Sequence, residues 1–285
     1  MNIDIYYNEV IRLKRNKFRK YCIAKEKKIK KPLPIIHEGK HIEAVLIEMR
    51  VLKHLSFLIK NAILKLDSNV SFTIVCGNKN YNFISTLVKD INRNIRIINI
   101  GKDNLTREEY SIMLLDSNFW RQFKGEKILI YQEDTIIFKK LESKFLKYDY
   151  IGAPLENREV GNGGLSLRSK SIMIKICETY YDKYKSKMEN TVKLLKKHIP
   201  ILKKNKIDYP RLNRFNYFYL LEKNILEDCN ITDVMKYYKI GKLAPFEIAN
   251  QFSVEKFAYP NPFGGHAFWY CIFKMEPWLE TNLKY

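Results

Sequence analysis

Four groups of side chains in this 285-residue sequence are suited to chemistry on a polar, anionic ligand. The first comprises Glu48 and Arg50, then Asn78, then Gln132-Glu133-Asp134. A guanidinium can pair with a phosphate, and Glu or Asn can hydrogen-bond a base or a ribose. The second is Gly161-Asn162-Gly163-Gly164, where three glycines in four residues permit positive φ and a close approach of backbone to ligand. Its spacing is not G-x-G-x-x-G and no G-K-[ST] follows, so dinucleotide and P-loop readings do not apply. A plain hairpin turn remains open. The third is Glu227-Asp228, which reads first as a solvated turn and second as a catalytic pair. The fourth is His266 among aromatics, a structural histidine before it is a ligand.

These groups need elements to position them. Ala44 to Ile47, Phe72 to Cys76, Ile95 to Ile100 and Lys127 to Tyr131 are short apolar runs that read as buried strands. Between them, Leu52 to Leu66 and Tyr81 to Ile91 carry apolar residues at helical spacing. Thr106-Arg107-Glu108-Glu109 is a capping box opening a helix expected to reach Trp120. Alternating strands and helices argue for a parallel, doubly wound sheet. Ligands of such sheets bind beyond the carboxyl ends of the strands. Glu48, Arg50, Asn78 and Gln132 to Asp134 all follow strands, although a strand end also needs polar groups simply to meet water. Tyr148 to Pro154 reads as a further strand ending in a turn.

Lys and Arg number 51 against 31 Asp and Glu, for a formal charge of +20. With 46% hydrophobic residues, the chain is not a wholly disordered one. At about 150 residues per domain, its length suits one large domain or two small ones. No run of roughly 18 uncharged apolar residues could span a membrane, and Met1 to Tyr7 lacks the apolar stretch of a secretory signal. The five cysteines, widely spaced and without metal-site pairing, read as reduced thiols of an intracellular protein. The charge points to an anionic partner: nucleic acid, a membrane surface or a phosphate-bearing substrate. Much of it lies in two amphipathic stretches. In the first, Tyr7, Ile11, Phe18 and Cys22 recur at helical spacing among lysines and arginines, before Pro32 and Pro34. Tyr181 to Ile199 forms the second. Each reads first as a helix packed on the domain and second as a contact with an acidic membrane.

The run Ile130 to Thr135, then Asp149-Tyr150-Ile151-Gly152-Ala153-Pro154, then Gly161-Asn162-Gly163-Gly164-Leu165-Ser166-Leu167-Arg168 resembles a glycosyltransferase-like domain family. That family is formally of unknown function and is found among large DNA viruses of protists and in some cellular organisms. Glu48-Met49-Arg50, Tyr110 with Phe119-Trp120, Glu227-Asp228, Phe252 to Glu255 and Gly265-His266 add looser matches, so the likeness spans roughly residues 42 to 270.

The resemblance implies a GT-A-like α/β fold. A doubly wound, mainly parallel sheet would be flanked by helices, with added N- and C-terminal helical elements. Residues 1–40 would be a basic helical extension. Residues 41–285 would be a single domain, with 41–135 its nucleotide-binding half and 136–285 its acceptor-side half. The implied activity moves a sugar from a nucleotide-sugar donor to a glycan or protein acceptor. Asp134 matches the last carboxylate of the superfamily's D-x-D motif, and Gln132 stands where the first carboxylate would be. Asp134 and His266 are thus the implied ligands of Mn²⁺ or Mg²⁺. Donor contacts fall to Glu48, Arg50, Asn78, Gln132, Glu133 and the backbone of Gly163 and Gly164. Asp228, with Glu227 second, is the implied base for the acceptor hydroxyl. The implied location is cytoplasmic, peripheral to a membrane through the basic helices, with no specific nucleic-acid partner.

Two other classes remain open. A basic nucleic-acid-binding protein would use lysines and the 19 tyrosines on phosphates and bases, but leaves the glycines and carboxylates without a role. A catalytically degenerate transferase fold at a membrane would explain Gln132 and the basic helices.

Overall fold

A computed structural model describes residues 3–66, 68–155, 161–181, 204 and 226–283. The second basic stretch lies outside them apart from Tyr181. Strands Ile42–Ile47 (β1), Val70–Cys76 (β2), Arg96–Asn99 (β3) and Lys127–Tyr131 (β4) run parallel in the order β3-β2-β1-β4. β1, β2 and β4 are near-continuous apolar runs because both faces of the sheet are covered. Ala44, Leu46, Ile74 and Leu129 enter one core, and Val45, Ile47, Val75 and Ile130 enter the other. Helices Leu55–Leu66 (α2) and Tyr81–Ile91 (α3) close the first core. Arg107–Leu114 (α4) and Ser117–Arg121 (α5) close the second.

Beyond β4 the sheet changes direction. Leu165–Ser169 (β7) pairs antiparallel with β4, and Tyr150–Gly152 (β6) pairs antiparallel with β7 at the edge. Lys170–Tyr180 (α6) and Glu227–Tyr238 (α7) pack on the same face as α4 and α5. A second, three-stranded sheet joins Thr135–Ile137 (β5), Ser253–Val254 (β8) and Gly264–His266 (β9), in the order β5-β9-β8. Phe246–Phe252 (α8) leads into β8, and Met275–Asn282 (α9) ends the described chain. The whole is the α/β, mainly parallel, helix-flanked arrangement expected of a GT-A-like domain.

One expected helix proves to be two. The capping box forms as the sequence suggests: Thr106 accepts from the Glu109 N–H, and the Glu109 side chain accepts from the Thr106 N–H. The helix stops at Leu114, however, because Asp116 caps a new turn by accepting from the Asn118 N–H at 3.0 Å.

The basic segment at the N-terminus is the helix Ile3–Glu26 (α1), and it is laid on the domain. Phe18 and Cys22 are fully buried. The Phe18 ring meets Phe268 at 5.6 Å, Trp269 at 5.7 Å and His54 at 6.4 Å. Domain carboxylates take up its charge: Arg19 pairs with Glu133, Lys17 with Glu276 and Lys25 with Glu280. The stripe that could have entered a membrane is therefore occupied, while Tyr7, counted with it in the sequence, is half exposed. No helix among the described residues is long and apolar enough to cross a membrane. All five cysteines are free thiols, three of them buried.

Candidate active site

The turn Gln132-Glu133-Asp134 joins the two sheets, since β4 ends at Tyr131 and β5 begins at Thr135. The register of β5 with β9 sets Thr135 opposite His266, and the Ala267 N–H donates to the Asp134 carbonyl at 3.1 Å. Strand pairing thus brings two residues 132 positions apart together. His266 Nε2 lies 3.3 Å from Asp134 Oδ1, and His266 Nδ1 lies 3.3 Å from Glu255 Oε2. Burial raises the Asp134 carboxyl, but the His266 and Arg15 charges outweigh it and pull the pKa down to about 2. Burial likewise opposes charge on His266, but Asp134 and Glu255 outweigh it and push the pKa up to about 10. Near neutral pH this is an ionised carboxylate facing an imidazolium.

These residues line a cleft of about 530 Å³ at the carboxyl ends of β1 and β4. Glu48, Arg50, Gln132, Glu133, Asp134, Gly163, Gly164, Glu227, Asp228 and His266 are all on its wall. Asn78 is not. It sits at the next strand end, where its side chain accepts from Asn99. Arg50 is gripped by Glu48, through Nε at 2.8 Å and Nη2 at 2.7 Å. Glu133, though on the wall, is already engaged: Arg19 donates to it at 2.6 and 3.0 Å, His54 Nε2 lies 3.0 Å from it and Arg50 Nη2 3.4 Å. Burial raises its pKa, but His54 and Arg19 outweigh that and lower it. Its visible work is to anchor α1. Gln132 donates to the Tyr110 hydroxyl at 3.1 Å, which sets Tyr110 on the wall, while Phe119 and Trp120 of the same sequence block are core.

The glycines do their work by close approach, and neither Gly163 nor Gly164 has a positive φ. A Cβ on Gly164 would lie 2.2 Å from His266 Nε2, and one on Gly163 would lie 2.7 Å from Arg168 Nη2 and 2.9 Å from Glu227 Oε1. Their backbone is pressed against the cleft's own side chains. Gly164→Ala should therefore cost about 1–3 kcal/mol of stability by overpacking and push His266 off Asp134. Urea unfolding checks the first effect. A histidine that titrates well below its wild-type value by NMR checks the second.

Glu227 and Asp228 are no solvated turn: they open α7 at 3% and 5% exposure. Asp228 Oδ2 accepts from the Gly163 N–H at 2.8 Å and Oδ1 from the Cys229 N–H at 2.8 Å. Glu227 accepts from Arg168 Nη2 at 2.9 Å. Arg168 is fully buried, with its guanidinium over the rings of Tyr150 and Trp120. Burial and the neighbouring Asp228 raise Glu227 to about 7 against the pull of Arg168. Asp228 is raised too, by burial, against Arg168 and the two N–H donors. Such a carboxylate is a stronger base than a free one.

Other residues on the wall, among them Arg15, Asn162, Glu255 and Tyr270, have no site role in the sequence reading, although Asn162 and Glu255 belong to motifs named there.

Residues 94–266 match the family described as protein of unknown function (DUF5672). The chain belongs to this family. The match runs from just before β3 to His266, so Asp134, both cleft glycines, Glu227 and Asp228 fall inside it, whereas Arg15, Glu48 and Arg50 fall outside. No curated protein matches the chain. Among solved structures, the mannosyltransferase PcManGT of Pyrobaculum calidifontis, in complex with GDP-Man and Mn²⁺, is 9% identical, with 59% of this chain and 58% of that one covered and a TM-score of 0.35. The 4-diphosphocytidyl-2C-methyl-D-erythritol synthase of Anaerococcus prevotii is 14% identical over 50% and 75% of the two chains, at 0.34. The apo glycosyltransferase GlyE of Streptococcus pneumoniae is 11% identical over 86% and 61%, at 0.44. The chain spans under two thirds of both transferases, and at these scores the likenesses carry no argument about activity.

Proposed function

We propose that this DUF5672 protein is a nucleotide-sugar-dependent glycosyltransferase with a GT-A-like site. The observation that carries the reading is the convergence in one cleft of the Asp134–His266 pair and the buried base candidate Asp228, across the Gly163-Gly164 backbone.

The donor set fits a hard divalent cation. Adjacent ligands of a cation held at about 2.1 Å stand about 3 Å apart, close to the 3.3 Å between Asp134 Oδ1 and His266 Nε2. Among the described residues no group of three or more such side chains is arranged for a metal. Two protein ligands suit Mg²⁺ or Mn²⁺, which take their remaining ligands from substrate phosphates and water. A cation held by Asp134 and His266 would displace the proton from His266 Nε2, since only neutral imidazole ligates, and would supply positive charge to the leaving diphosphate.

The chain's own residues do the rest. Gln132 and the Glu48–Arg50 pair flank the donor, with Arg50 half exposed towards it. When the sugar–phosphate bond breaks, the electron pair leaves on the nucleoside diphosphate, and the acceptor hydroxyl oxygen bonds to the anomeric carbon. In an inverting reaction the hydroxyl proton passes to Asp228. Glu227 is held by Arg168 and keeps Asp228 basic by its adjacent charge.

A thermal-shift panel of UDP-, GDP- and dTDP-sugars, with and without Mn²⁺, tests the reading. A ligand at 100 times its Kd stabilises the native state by about 2.7 kcal/mol. At least one donor should raise the melting temperature more with Mn²⁺ than without. A flat panel, beside a salt-sensitive shift with random oligonucleotides, would turn the reading to nucleic acid.

A further inference from the structure

Arg15 is a cleft residue to which the resemblance gives no part. It belongs to α1, outside residues 94–266. Its Nη2 stands 3.4 Å from Asp134 Oδ2, beyond ordinary hydrogen-bond length. Its Nε is buried, 4.0 Å from Glu133 Oε1 and without a hydrogen-bond partner, while the side chain as a whole is 38% exposed. Among the described residues the cleft has two other arginines. Arg50 is held by both oxygens of Glu48, and Arg107 is exposed in the first turn of α4. Arg15 thus presents an incompletely paired guanidinium beside the carboxylate that faces His266.

The element presenting it is fixed. Phe18, three residues on, is fully buried. Arg19 is paired with Glu133, and Lys14 donates to the Trp269 carbonyl at 2.9 Å. The helix is too well tied for Arg15 to be a stray surface cation.

We propose that Arg15 binds the phosphates of the donor, its two Nη groups forming the planar fork that takes two phosphate oxygens. α1 is then part of the active site and not an appendage to it. The inference rests on the nucleotide-sugar reading of the cleft. It also says where the charge for the leaving group comes from on the face of Asp134 turned away from His266.

Calorimetric titration of UDP, GDP, dTDP and the matching nucleosides into the full-length wild type, Arg15→Gln and Arg15→Lys, all with Mn²⁺, tests it. Arg15→Gln should bind the preferred diphosphate roughly 10- to 100-fold more weakly and the matching nucleoside unchanged. Arg15→Lys, which keeps the charge without the fork, should fall between. Unchanged diphosphate affinity in both variants overturns the inference and leaves the nucleotide-sugar reading standing. So does an equal loss for diphosphate and nucleoside, the mark of a purely structural role. If Arg15→Gln fails to fold, Arg15→Lys alone decides by the same two comparisons. A wild type that binds none of the three diphosphates overturns both.

Discussion

Asp134→Asn should fold and yet lose nucleotide-sugar turnover by roughly 10³-fold. The residue is 6% exposed and its carboxyl is ionised near neutral pH, held low by His266 and Arg15. Asn keeps its volume and one acceptor oxygen, so packing is preserved. What disappears is the negative charge that faces His266 and Arg15 and that the proposed metal ion would need. His266 then keeps only Glu255 as an anionic partner and becomes easier to deprotonate. Release of nucleoside diphosphate measures the first effect, and the melting temperature reports that the fold survives. Wild-type turnover in a folded Asp134→Asn protein would remove Asp134 from the mechanism.

The second large effect is on stability. Arg168→Met should cost about 3–5 kcal/mol, the usual consequence of removing one partner of a buried ion pair. Arg168 is fully buried, donates to Glu227 at 2.9 Å and to Ser166 Oγ at 3.0 Å, and lies 4.7 Å from the centre of the Tyr150 ring. Methionine fills much of the space but leaves Glu227 and Asp228 side by side without a cation. The pH dependence has a definite sign. Glu227 is raised above its ordinary 4.5 to about 7, so its contribution favours the folded state fully below about 4.5 and is lost as pH rises through about 7. Without Arg168 the pair rises further, and the deficit against wild type must grow with pH. Urea unfolding at pH 5 and pH 8 should give a larger deficit at pH 8. Equal deficits would mean that the pair's charge plays no part.

Much of the sheet was legible because its signals are local. β1, β2 and β4 are near-continuous apolar runs, and such runs are what a sheet covered on both faces requires. The capping box at Thr106 placed the start of α4, but the stop at Leu114 depends on Asp116, an ordinary polar residue until its cap is seen. β5, β8 and β9 are two or three residues long, too short for periodicity to register, yet the pairing of β5 with β9 is what sets His266 against Asp134. Glu227 and Asp228 looked solvated because Arg168, 59 residues earlier, is invisible to a local reading.

The N-terminal helix carried a fainter sign. Ile11, Arg15, Phe18 and Cys22 fall at one helical face, so a charge interrupts the stripe that is buried at Phe18 and Cys22. That interruption is the residue that enters the cleft. The +20 of the chain therefore says less about a membrane than its first stretch suggested, since α1 spends much of its charge on Glu133, Asp134, Glu276 and Glu280.

The central claim is that the cleft holds a sugar donor by its diphosphate between Asp134, His266 and the α1 face. A crystal structure of the protein grown with Mn²⁺ and the nucleoside diphosphate that most raises its melting temperature tests this most directly. The account predicts Mn²⁺ bound by Asp134 and His266, with the diphosphate on the metal and beside Arg15. Clear density for the nucleotide elsewhere, with His266 still paired to Asp134, would contradict it.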